Sequence, residues 1–119
     1  MQDSRFVHDL CITLPGAGVS QPFGPDHDVW KVGSKIFAII GRNGDAVSVK
    51  TNHVETAALL IEAGVATRAP YLHASWVRFC FGRIEDAELT ARLHASYGLI
   101  RGALPKKLQA ALGGRWGPE

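Results

Sequence analysis

This 119-residue chain lacks most signatures that would tie it to a known chemistry. No GxxxxGKS or GxxxxGKT loop is present to cradle phosphates, and no GxGxxG to seat a dinucleotide. A GxSxG nucleophile elbow, a CxxC pair and an HExxH helix are missing too, which removes the commonest hydrolase, thiol-redox and zinc-protease patterns. A strong charge of one sign is lacking: thirteen Lys and Arg face eleven Asp and Glu, for a formal charge of +2. Such a balance permits an anionic partner without demanding one. There are only two cysteines, Cys11 and Cys80, far apart and each in an apolar run, so packed reduced thiols are expected rather than a disulfide framework. No stretch approaches the ~20 apolar residues of a membrane span. The N-terminus begins with polar and acidic residues instead of an apolar signal core, so a soluble cytoplasmic protein is expected.

What is present is an ordinary globular composition, 46% hydrophobic and 20% charged, at a length that suits one domain, taken as residues 1–119. Phe6, Val7, Leu10, Cys11 and Leu14 recur at helical spacing, which predicts a helix over 3–14 stopped by Pro15-Gly16. The stretch from Gly16 to Asp28, with three glycines and two prolines, reads as a loop. Two β-rich runs then flank Gly33-Ser34, a two-residue hairpin signal. With that turn, Trp30 is expected opposite Phe37 and Val32 opposite Lys35. Trp30, Val32, Phe37 and Ile39 would share one face, and Val29, Lys31, Ile36, Ala38 and Ile40 the other. Asn43-Gly44 predicts a type I′ turn into a third strand over 46–50, with Val47 and Val49 inward.

Asn52 followed by Glu55 suggests a capping box, and Val54, Ala57, Ala58 and Ile61 a buried stripe ended at Gly64. After a loop over 65–70, Ser75, Val77, Phe79 and Phe81 alternate with Trp76, Arg78 and Cys80, the period of a strand. If Val77 and Phe79 meet the helices, Trp76 and Arg78 lie on the open face, with Trp30 joining them across the sheet. Asp86 is expected to cap a long helix with a Leu89, Leu93, Tyr97, Ile100, Leu104 stripe, and Pro105 to start a last short helix closed by Gly113-Gly114. Strands that run together, with helices segregated, predict an α+β fold.

The five histidines are scattered without ligand spacing, so no metal site and no cofactor are expected. Ser75 stands near His73, but residues two apart on a strand sit ~7 Å from each other, beyond hydrogen-bond reach. Acids such as Glu85-Asp86 read as helix caps. From Arg92 to Arg115 there are five basic residues and no acid, which makes that part of the chain the most electropositive. Positive and aromatic side chains therefore carry the functional reading. Lys31, Lys35, Arg42, Arg78, Lys106 and Lys107 are candidates for nucleic-acid phosphates, since such contacts supply most non-specific affinity. Arg68, Tyr71, His73 and Trp76 are candidates for a pocket that takes a small anionic ligand.

Taken together and in order, Leu14-Pro15-Gly16, the PFGPD of 22–26, the VWKVGSKIFAII of 29–40, the VSVK of 47–50, the APYLHASWV of 69–77, the Leu89 to Ser96-Tyr97 helix and the LPKKL of 104–108 carry a resemblance. The chain resembles the MmcQ/YjbR family of small bacterial proteins over nearly its whole length. The resemblance implies a frataxin/CyaY-like fold, an antiparallel sheet with helices on one face, and DNA binding through a double-wing arrangement. Frataxin-type iron binding is not implied, because the acidic helix face it needs is absent here. A fold alone does not carry function. The expected activity is non-catalytic binding, with DNA as the first partner, a small anionic ligand or a protein as the alternatives, and no membrane.

Overall fold

Local signals account for most of the elements in the computed structural model, which describes residues 2–25, 27–41, 43–70 and 72–113. The chain runs α1 (Ser4–Cys11), β1 (Ala17–Ser20), β2 (Asp28–Val32), β3 (Lys35–Ile40), β4 (Ala46–Lys50), α2 (Val54–Glu62), β5 (Thr67–Arg68), β6 (Trp76–Cys80), α3 (Asp86–Gly102) and α4 (Lys106–Ala111). The six strands form one sheet in the order β1-β2-β3-β4-β6-β5, every neighbouring pair antiparallel. The architecture is α+β, as the segregation of strands and helices predicts.

One sheet face meets the helices. Val77 and Phe79 of β6, Val47 and Val49 of β4, and Trp30 and Val32 of β2 are buried there with Val7, Cys11, Leu89, Leu93 and Tyr97. Each such apolar side chain contributes roughly 1.5–3 kcal/mol by leaving water. Phe37 and Tyr97 meet edge to face, their ring centres 5.4 Å apart. Asp3 starts α1 by accepting the Phe6 amide at 2.9 Å, and the stripe on α3 holds at Leu89, Leu93 and Tyr97. Glu85 precedes α3 without a capping bond, and Asp86 is the helix's first residue, so the expected cap moves back by one.

The structure corrects several expectations, each where tertiary context outweighs a local signal. The stretch read as a loop over 16–28 contains the edge strand β1, and the loop over 65–70 contains the two-residue β5. Both strands are largely exposed and are held by the backbone of β2 and β6, so neither needs an apolar pattern. The N-cap of α2 is His53, whose Nδ1 accepts the Glu55 amide at 3.1 Å, while Asn52 lies outside the helix. Of the expected α2 stripe only Ala57 is buried; Leu60 packs against the core instead, and Val54, Ala58 and Ile61 face water. The turn before β4 closes with the Gly44 amide on Gly41 O, and Gly44 alone of Asn43-Gly44 has positive φ, so it is not type I′.

The largest correction lies in the first hairpin. Val32 does pair with Lys35, through a turn whose two residues, Gly33 and Ser34, have φ of 55° and 67°, the signature of type I′. Trp30 however pairs with Ala38, because the register shifts between Trp30 and Lys31. Phe37 is thus an extra residue, a β-bulge that sends both Phe37 and Ala38 to the helix face. Beyond it the alternation inverts: Ala38 and Ile40 join the core, and Ile39 stays on the open face. Trp30 is buried in the core with His8 of α1 edge-on at 5.5 Å, and does not join Trp76 and Arg78. The β3–β4 register ends at Ala38–Val49, and buried Ser96 of α3 takes up the next backbone groups. Its hydroxyl donates to Phe37 O at 2.6 Å and accepts the Lys50 amide at 3.0 Å.

Candidate functional site

The proposed phosphate-binding residues divide between two places. Gly33, at the hairpin tip, lies under Leu104, so closely that a Cβ there would stand 2.6 Å from Leu104 Cδ1. Leu104 directly precedes Pro105 and α4. The hairpin end carrying Lys35 and the helix start carrying Lys106 and Lys107 therefore occupy one end of the molecule, and all three side chains are exposed. A second tight contact holds α4 in place: Leu112, just past its last turn, closes on Gly16, whose φ is +72°. Buried Arg101 adds polar ties, donating to Tyr97 Oη and to Leu112 O, each at 3.0 Å, while Tyr97 Oη donates to Pro15 O. None of these three lysines enters an ion pair among the described residues. Lys106 and Lys107 also sit where their own helix dipole disfavours cations.

Lys31 lies two positions before Gly33 on the opposite, open face, half-buried and paired with Gly18 and Ile36. Arg78 is elsewhere. It stands mid-strand on β6, three strands from β2, with Nη2 3.4 Å from Asp45 Oδ1 and Nη1 donating to Cys80 Sγ at 3.4 Å. Arg42 lies outside the described residues. Of the remaining cations in the basic C-terminal stretch, Arg92 pairs with Glu88 and Arg101 is buried, and Arg115 lies outside the described residues.

The second candidate set is not assembled into one pocket. Arg68 pairs with Val77 and so shares its face, whereas Trp76, one residue before Val77, projects from the other. Trp76 is only 9% exposed and pairs with Lys50, leaving no free ring face for a flat ligand. Tyr71 lies outside the described residues. His73 and Ser75 precede β6 in a turn, not on the strand, and this overturns the expected separation. His73 Nδ1 and Ser75 Oγ are 2.9 Å apart, and Lys50 Nζ donates to the same hydroxyl at 2.8 Å. The Ser75 amide donates to His73 Nδ1 at 3.1 Å, and Ser75 is 4% exposed, so the trio ties a turn to the end of β4 and offers no open nucleophile.

Sequence reading missed a cleft of about 500 Å³ on the open sheet face. It is lined by Ile36, Ile39, Ser48 and Arg78 of the sheet and by Phe23, His27, Pro70 and Leu72 of the flanking segments. No local signal could have found it, since four separate segments build it. Among the described residues Cys11 is the one group with a resolved titration shift: burial pushes its thiol from an ordinary 9.0 up to about 12. Cys11 and Cys80 are both free thiols. Among the described residues no helix is long and apolar enough to cross a membrane, and no group of three or more His, Cys, Asp or Glu is placed to hold a metal ion.

Comparison with known proteins bears on this geometry. A family model described as YjbR matches residues 12–99. The crystal structure of Deinococcus radiodurans protein DR2400, whose domain is described as DUF419, is similar in fold with a TM-score of 0.88. The two are 23% identical, and the alignment covers 100% of this chain and 94% of that one. No curated protein matches the chain.

Proposed function

We propose, from the premise that this chain belongs to the YjbR family, that it is a non-catalytic protein that binds the phosphate backbone of DNA. The observation that carries the reading is the seating of Gly33 under Leu104, which puts exposed Lys35, Lys106 and Lys107 at one end without ion-pair partners among the described residues. Three unpaired ammonium groups on a rigid hairpin and helix start suit contact with successive phosphates, which position a protein on nucleic acid without reading its sequence. Lys31, on the other side of the same hairpin, would flank the backbone. Arg78 drops out of this surface because it faces the sheet's open side and shares its charge with Asp45. Trp76 drops out because it is covered.

Binding of this kind releases counterions. Three phosphate contacts on duplex DNA predict that log K falls against log salt with a slope of about −2.7. Fluorescence anisotropy with a labelled duplex of mixed sequence, titrated at several salt concentrations, measures it. Replacing Lys35, Lys106 and Lys107 together by Gln should flatten the slope to a magnitude below about 1 and weaken binding equally for unrelated sequences. Absence of binding at low salt, or an unchanged slope in the triple variant, would exclude this surface.

A further inference from the structure

The cleft on the open sheet face has the features of a second site, independent of the lysine-bearing end. In a sheet with helices on one side, the other side is expected to be polar. Here Ile36 and Ile39 lie on it, and Phe23, 63% exposed, stands at its edge. A volume of about 500 Å³ falls in the range of sites for small organic molecules.

The polar groups say what kind of molecule fits. Arg78 and Asp45, 3.4 Å apart, present an N–H donor beside a carboxylate acceptor with no net charge. His27, also in the lining, has a buried Nδ1 without a hydrogen-bond partner, which is costly unless a partner arrives. Apolar sheet residues, an exposed aromatic edge and the cancelled charge of the described lining disfavour phosphates and carboxylates. A C=O next to an N–H, as in a lactam or imide, matches the Arg78–Asp45 pair atom for atom. We propose that this cleft binds a neutral, planar, multi-ring heterocycle whose lactam edge meets Arg78 and Asp45 and whose rings lie on Ile36 and Ile39.

Lumichrome, a neutral fluorescent tricycle with an imide edge, tests this, with phenazine, a tricycle of similar outline and no N–H, as the control. Tight-cleft recognition predicts saturable binding of lumichrome at least ten-fold stronger than that of phenazine. Ser48→Phe fills the cleft and should weaken both ligands at least ten-fold. Asp45→Ala, in an exposed turn, should erase the preference for lumichrome and leave phenazine unchanged, and it keeps the test alive if Ser48→Phe melts early. The triple lysine-to-Gln variant should bind lumichrome normally. Equal binding of the two ligands, no saturable binding, or loss of lumichrome binding in the lysine variant instead of the cleft variants would overturn the assignment.

Discussion

Ser96 offers the sharpest test of how the sheet is held together. Its hydroxyl, fully buried, donates to Phe37 O and accepts the Lys50 amide, just beyond the Ala38–Val49 pair where the β3–β4 register ends. Ser96→Ala removes one oxygen and leaves two backbone groups without that partner. A buried polar group stripped of its hydrogen bond costs about 1–3 kcal/mol. The Phe37 carbonyl is fully enclosed and should sit near the top of that range; the Lys50 amide is half-buried and should sit lower. The expected loss is about 2–4 kcal/mol in total. For a domain of this length each kcal/mol lowers Tm by roughly 3–6 °C. Urea unfolding should show a lower midpoint with an unchanged slope, because the surface exposed on unfolding is the same. Hydrogen exchange at the Lys50 amide should quicken in the variant. Ser48→Ala, the same deletion on the open face, serves as the control and should stay within about 0.5 kcal/mol. If Ser96→Ala is as mild as the control, the bulge satisfies its own backbone and α3 plays no part in closing it.

Three further outcomes follow from single contacts. Gly33→Ala places a side chain at φ 55° and against Leu104, and should cost about 1–3 kcal/mol by thermal melting; combined with Leu104→Ala the loss should be smaller than the sum, because the two changes share one contact. Cys11 should resist a thiol reagent at pH 8 until the protein unfolds, while the less buried Cys80 reacts in the native state. The unfolded chain loses the Cys11 proton near 9.0 and the folded chain only near about 12, so stability should fall as pH rises across that window. Cys11→Ala should flatten this alkaline decline in paired urea titrations, and a parallel decline in both proteins would refute the link.

Much of the fold was legible because its signals are local. The alternation of Trp76, Val77, Arg78 and Phe79 assigns each side chain a face without any knowledge of the neighbours, and those faces hold. The same is true of Leu89, Leu93 and Tyr97 on α3, and of Gly33-Ser34, whose composition selects the hairpin turn. The lysines at positions 35, 106 and 107 were visible as charges, but their shared location was not, since it depends on Leu104 meeting Gly33 across about seventy residues of chain.

What the amino-acid order determined by itself is the set of elements that carry their own pattern: helices with a stripe, strands with an alternation, a turn with residues free to take positive φ. Tertiary structure alone decided the rest. It placed the bulge at Phe37, which put Trp30, Val32 and Phe37 on the core face with Ala38 and Ile40 and left Ile39 alone of its expected set on the open one, and α3 supplies Ser96 to the Phe37 carbonyl there. It made β1 and β5 strands, because an exposed edge needs only a neighbour's backbone. It set Ser75 beside His73 and Lys50, buried Arg101, and enclosed the open-face cleft, each from groups that meet only when distant segments pack. Periodicity reports how one segment meets water or a core, and it holds no record of which segments become neighbours.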